Sequence, residues 1–193
     1  IAHLLHIYYK IDRIRNYLRR CLTDVHNELN DIEENNNKGE YNDYGEYENA
    51  FSIPLARMEL ILFSAINELH ITIEEEIQSI AIAPYYDKYG DKIFYNFLGS
   101  SKKINIEDFR NLKVVADAKF EDLLTLIKNH YIIDIKNLEN YNFILEVKEL
   151  ANSYKHRNMF KSVKNVKNAS EIENFFKQHE LTEEKVYEYV NIT

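Results

Sequence analysis

Two long apolar stripes constrain this chain more than anything else in its sequence. Leu4, Tyr8, Ile11, Ile14, Leu18, Cys21, Val25, Leu29 and Ile32 step by threes and fours, the period of one helix face. That spacing predicts an amphipathic helix from about His3 to Glu34. Leu55, Met58, Leu62, Ala65, Ile66, Leu69, Ile73, Ile77 and Ile80 repeat the pattern. Pro54 suits the first turn of this second helix, with Ser52 or Ile53 just before it. One-faced helices of this length bury their stripes against each other, so the second should lie antiparallel to the first. Only 4 Gly and 2 Pro among 193 residues leave few places for tight turns.

The remaining chain extends the same architecture. Asn30–Asn49 is polar and acidic, with Tyr41, Tyr44 and Tyr47 spaced by three. It reads as a solvated, mobile connection, and the Tyr-rich part, 36–49, is long enough to order on a partner. Pro84–Lys103 contains Pro84, Gly90, Gly99, Ser100 and Ser101 and reads as a break holding one aromatic turn, Ile93–Leu98. Phe109–Asn129 is a third helical region, best defined at Phe120, Leu123, Leu124 and Ile127. His130 and Tyr131 end it, and Ile132–Leu138 is a short connector. Asn142–Phe160 is a further helix. Ser170 and Glu173 have capping-box spacing for a short helix through Phe175 and Phe176. Thr182 is placed to cap a last one through Val186 and Val190. The expected fold class is all-α: an up-and-down helical bundle of four main long helices plus short C-terminal helices, in a single domain, 1–193.

Composition narrows the functional classes. The net charge is −8, which disfavours nonspecific attraction to phosphates over the chain as a whole. The distribution is uneven. Asp31 to Glu48 holds seven acids against Lys38, whereas Lys155, Arg157, Lys161, Lys164 and Lys167 follow one another with His156 among them and no acid. No uninterrupted run of about 18 apolar residues marks a membrane span, and no secretory signal pattern is visible. One Cys excludes an internal disulfide, and Cys21 falls on the first stripe, so a reducing, cytoplasmic setting and an inert thiol are expected. His3 and His6, Glu74-Glu75-Glu76, and Glu59, Glu68 and His70 do not share a ligand geometry, so neither metal nor cofactor is expected. Gly99-Ser100-Ser101-Lys102 lacks the spacing of a phosphate-cradling loop.

The helix Asn142–Phe160 has two unlike faces. At roughly 100° per residue, Phe143, Ile144, Val147, Leu150, Ala151 and Tyr154 form one apolar stripe. Opposite lie Leu145, Glu149, Asn152, His156 and Met159. Leu and Met at heptad spacing, with Asn and His between them, make a contact surface rather than a plain polar face. Asn152 and His156 meet on adjacent turns.

Two segments carry a resemblance. Phe63-Ser64-Ala65-Ile66-Asn67-Glu68-Leu69 running into Ile73-Glu74-Glu75 resembles the second long helix of the HEPN superfamily, the "higher eukaryotes and prokaryotes nucleotide-binding" bundles. Glu149-Leu150-Ala151-Asn152-Ser153-Tyr154-Lys155-His156-Arg157-Asn158 is similar to that family's late-helix signature: an Arg, a polar residue, then His a few residues on. Asn152 and His156 match the polar and His positions; the Arg position is Ala151. The resemblance covers most of the chain as architecture and only a few residues as motif. It implies a homodimer through the 142–160 helix, in a prokaryotic toxin–antitoxin or antiviral defence system, with an antitoxin or other defence protein as partner. Active members are metal-independent endoribonucleases.

Metal-free RNA cleavage needs a base for the ribose 2′-OH, an acid for the leaving 5′-oxygen and a cation for the phosphorane. The resemblance and the residues together give His156 as base or acid, Asn152 as orienting amide, and Arg157 or Lys155 as the cation. Glu149 is an ordinary helical acid in this reading, or a residue that fixes the imidazole tautomer. RNA would enter along Lys161, Lys164 and Lys167. The alternative is a non-catalytic HEPN-like interaction module that binds a partner protein or RNA through the same face, supported by Ala151 and the acidic net charge. A plain helical scaffold is the third reading.

Overall fold

The structure, a computed structural model, describes residues 2–89, 118–155 and 181–192; for 2–6, 82, 85–89 and 154–155 it describes the backbone alone. Among the described residues every regular element is helical, so the fold is all-α. The elements are α1 (Ala2–Asn37), α2 (Tyr44–Tyr89), α3 (Phe120–Tyr131), a 3₁₀ turn (Ile135–Asn137), α4 (Tyr141–Lys155) and α5 (Glu183–Ile192). They fall into two compact units. The first comprises residues 1–70 and 143–193, the second 71–142.

In the first unit α1 and the opening part of α2 form an antiparallel hairpin. Arg13 Nη2 lies 2.9 Å from Glu68 Oε1, and Arg57 Nη1 lies 2.6 Å from Glu28 Oε2. Residues late in one helix thus meet residues early in the other. Both pairs are exposed, so each contributes at most about 1 kcal/mol; they mark the register more than they hold it. The apolar stripes hold it: Ile11, Ile14, Leu18, Leu22, Val25 and Ile32 of α1 are buried, as are Ile61, Leu62, Ala65, Ile66 and Leu69 of α2. Each large side chain withdrawn from water is worth roughly 1.5–3 kcal/mol.

The first stripe differs from expectation in three places. Leu22, not Cys21, is the buried residue, and Cys21 is half-buried. Cys21 lies two turns before Glu28 on the flank where Glu28 meets Arg57 of α2, so it sits at the rim of the contact. Leu29 is half-buried, and Tyr8 is 61 % exposed. On α2, Leu55 and Ile80 are likewise exposed.

The connection between the two helices is short. Helix occupies most of Asn30–Asn49, and only residues 38–43 lie between α1 and α2. Local hydrogen bonds explain the correction. Gly39 N–H donates to Asn36 O at 3.0 Å and Glu40 N–H to Asn35 O at 3.0 Å, the paired bonds of a Schellman C-cap with Gly39 at φ +76°. Asp43 then caps α2. Its Oδ1 accepts from Glu46 N at 2.8 Å, while Glu46 Oε2 accepts from Asn42 N at 2.9 Å. Helix therefore begins ten residues before Pro54, and Pro54 lies inside α2. A helix-interior proline removes one donor and costs about 3 kcal/mol; full burial of the ring offsets part of it. Pro84 does not break α2 either, since the helix continues to Tyr89.

The middle of α1 packs on α5. His26 Nε2 lies 2.6 Å from Glu183 Oε1, and Arg15 Nε donates to Asn191 Oδ1 at 3.2 Å, so α5 runs antiparallel to α1. Thr182 caps α5 as expected: its Oγ1 accepts from Lys185 N at 3.3 Å.

In the second unit Ile73, Ile77 and Ala81 of α2 are buried, as are Phe120, Leu123, Leu124 and Ile127 of α3, the four positions expected from spacing. Of the helical region expected over Phe109–Asn129, residues 109–117 lie outside the described residues; α3 begins at Phe120, with Lys119 at its N-cap. The connector holds the 3₁₀ turn, capped by Asp134, whose Oδ1 accepts from Lys136 N at 3.1 Å. Lys128 holds the Asp134 carboxyl below its usual range through a 2.6 Å bond.

By length and composition the segment Tyr44–Ala81 of α2 is also long and apolar enough to cross a membrane, with 28 % of its most apolar window buried. The expectation rested on an uninterrupted apolar run, which is a stricter criterion. A window average tolerates the isolated charges that interrupt an unbroken run, and a core helix passes the same test. The aromatic turn 93–98 and the Ser170–Glu173 cap lie outside the described residues.

The turn yields a prediction. Gly39→Ala places a side chain in left-handed backbone and should cost about 1 kcal/mol, read as a lower midpoint in urea with an unchanged slope. No loss would remove the cap from the account.

Candidate functional site

Of the site expected from sequence, Asn152 lies on α4, and α4 is fixed by α5. Tyr189 of α5 is 2 % exposed, meets the Phe143 ring edge-on at 6.0 Å between centroids and donates its phenol proton to Glu146 Oε2 at 2.7 Å. Burial first, and then this hydrogen bond, push the Tyr189 phenol well above its ordinary value. Val147, Leu150 and Ala151 of α4 are buried, as are Val186 and Val190 of α5. The described part of the α4 core stripe is the one the spacing predicts, with Phe143 and Ile144 half-buried at its edge; the Tyr154 side chain lies outside the described residues.

On the far side Leu145 is 36 % exposed, Glu149 is exposed and Asn152 is half-buried. Of the candidate catalytic residues, Asn152 is the one whose side chain is described, and it shares its face with Leu145 and Glu149. Lys155 is the last residue of α4, and its side chain lies outside the described residues. His156, Arg157, Lys161, Lys164 and Lys167 all lie outside them. The structure thus neither gathers these groups nor separates them.

Ala151, which the expected resemblance aligns with an Arg, has 0 % exposure. The neighbouring residue on the outer face, Asn152, is turned roughly 100° away. Position 151 is therefore part of the α4 core.

Sequence reasoning missed a concavity in the first unit. A groove of about 410 Å³ lies between α1 and α2, lined by Arg13, Ile14, Tyr17, Ser64, Ala65 and Glu68. Arg13 and Glu68 bridge across it, 55 positions apart in sequence, and no local spacing signals such a pair. Ser64 Oγ is turned to its own helix, donating to Leu60 O at 2.7 Å. Among the described residues no three His, Cys, Asp or Glu side chains come together as a metal site would require.

No family model, curated protein or solved structure matches this chain.

Two outcomes follow from the α4–α5 geometry. Ala151→Arg buries an unpaired cation and should cost on the order of 3–5 kcal/mol, seen as a collapse of thermal stability; a stable variant would show that position 151 is not core. The raised Tyr189 phenol makes its protonated form the one the fold binds. That contribution is intact below the unfolded value of about 10 and is lost as pH rises above it. Tyr189→Phe should cost about 1 kcal/mol at neutral pH and flatten the fall in denaturant midpoint above pH ~10. An unchanged alkaline slope would contradict this.

Proposed function

We propose that this chain is a HEPN-like bundle of four main helices with short C-terminal ones, a non-catalytic interaction module of a prokaryotic defence or toxin–antitoxin system. It pairs with a second copy through the 142–160 helix and binds RNA or a partner protein, such as an antitoxin, along that face. The observation that carries this reading is the complete burial of Ala151. A nuclease of this kind needs a cation beside the phosphorane, and here the signature position is an apolar core residue. Leu145 and Asn152 on the opposite face are the composition of a contact surface, an apolar anchor beside an amide that can fix register. The run Lys155, Arg157, Lys161, Lys164, Lys167 supplies the charge that phosphates attract.

A second reading rests on Asn152. Its place on the outer face, four residues before His156, suits a metal-independent endoribonuclease. In that case one His156 of the dimer takes the 2′-OH proton, the 2′-oxygen attacks phosphorus, and the other His156 protonates the departing 5′-oxygen. Arg157 or Lys155 stabilises the phosphorane, leaving a 2′,3′-cyclic phosphate and a 5′-hydroxyl.

The two readings separate on labelled RNA with EDTA present. The module reading expects binding that weakens with salt, is reduced about tenfold or more at moderate salt by joint Lys161→Glu, Lys164→Glu and Lys167→Glu substitution, and gives no cyclic-phosphate product. Cleavage that survives EDTA and is abolished by His156→Ala would replace it with the nuclease reading.

A further inference from the structure

The groove between α1 and α2 in the first unit has an apolar floor, an aromatic wall and a charged rim. Ile14 and Ala65, 3 % and 1 % exposed, form the floor, and Tyr17, 43 % exposed, forms the wall. Arg13 and Glu68 meet at the rim, Nη2 to Oε1 at 2.9 Å, and both are exposed. The volume of about 410 Å³ falls within the roughly 300–1,000 Å³ of small-ligand sites. Pairing does not exhaust the two rim groups. A guanidinium has five N–H donors and a carboxylate about four acceptor positions, and Arg13 gives Glu68 only Nη2.

The rim selects the ligand by chemistry. Arg13 and Glu68 cancel in charge, so an ion that is attracted to one is repelled by the other. A neutral edge gains from both if it offers an acceptor to Arg13 and, beside it, N–H donors to Glu68. The ion pair then stays intact, because donor and acceptor already lie side by side. The exposed ring of Tyr17 and the apolar floor favour a flat heterocycle that stacks. Guanine combines these features. Its O6 accepts, as it commonly does from Arg, and its N1–H and 2-amino group donate side by side to the two oxygens of a carboxylate. Adenine and cytosine invert the order of donor and acceptor. Uracil sets a second carbonyl against the carboxylate.

We propose that this groove binds a guanine base. Arg13 donates to O6, Glu68 accepts from N1–H and the 2-amino group, and Tyr17 stacks on the ring above Ile14 and Ala65. The base arrives as a free nucleotide or as an unpaired guanosine of RNA; the recognition is the same. The site uses no residue of the 142–160 helix or of the basic run, so it does not rest on the function proposed above.

Calorimetric titration of the full chain with GMP tests the proposal. Saturable one-to-one binding is expected, about tenfold weaker for IMP, which lacks the 2-amino group, and absent for AMP and UMP. Glu68→Gln, which turns an amide N–H₂ towards the donors of the base, should weaken GMP binding about tenfold or more. Its far-ultraviolet dichroism should not change, because residue 68 is exposed. Tyr17→Ala should also weaken binding about tenfold or more, whereas Tyr17→Phe should keep it, since stacking needs the ring and not the hydroxyl. Joint Lys161→Glu, Lys164→Glu and Lys167→Glu substitution should leave GMP binding intact, which separates failure of this site from failure of the RNA-binding face. A short oligouridylate with one central guanosine identifies the source. Tighter binding than plain oligouridylate, lost in Glu68→Gln, supports the site as a reader of RNA; equal binding of the two, with GMP bound, supports it as a site for the free nucleotide. GMP that binds no better than AMP overturns the proposal, as does GMP binding untouched by both Glu68→Gln and Tyr17→Ala.

Discussion

Burial of two facing apolar stripes, one on α1 and one on α2, is the constraint on which the first unit depends. The ion pairs that cross between these helices are exposed, and such pairs contribute little. What fixes the pairing is that Leu18, Val25, Ile66 and Leu69 are withdrawn from water almost completely, and each would return to it if the helices slid. α5 depends on the same arrangement from the other flank of α1, through Glu183 at His26 and Asn191 at Arg15. α4 is one step further removed, positioned through Tyr189. The face that carries Asn152 is thus set by a chain of contacts leading back to α1.

Much of this was legible in the sequence, because apolar period reports directly on which helix face is buried. The α1–α2 hairpin, the four core residues of α3, the Thr182 cap and the core stripe of α4 all follow from spacing. The turn was misread because composition was weighed above local chemistry. Asp43 and Glu46 have capping-box spacing, and Gly39 is the residue a left-handed C-cap favours, yet the acidic, Tyr-rich run looked like a mobile loop. The two prolines misled for a related reason. Proline resists helix locally, but Pro54 is buried and tertiary packing overrides the local penalty. Cys21 and Leu22 are adjacent, and period alone does not say which of two neighbours a second helix will cover.

The candidate site was legible in part. Spacing placed Ala151 in the core stripe of its helix, and Ala151 is buried there. The groove between Arg13 and Glu68 was not legible, since it depends on residues brought together only by the hairpin.

The central claim is that α1, the first part of α2, α4 and α5 form one core that opens as a unit. Amide hydrogen exchange in the native state tests it most directly. The account predicts that the amides of Leu18, Val25, Ile66, Leu69, Ala151 and Val190 exchange with one common free energy, equal to that of global unfolding, and with the same denaturant dependence. Exchange of the α1 amides at a distinctly lower free energy than those of α2 would mean that the two stripes do not hold each other, and would contradict the account.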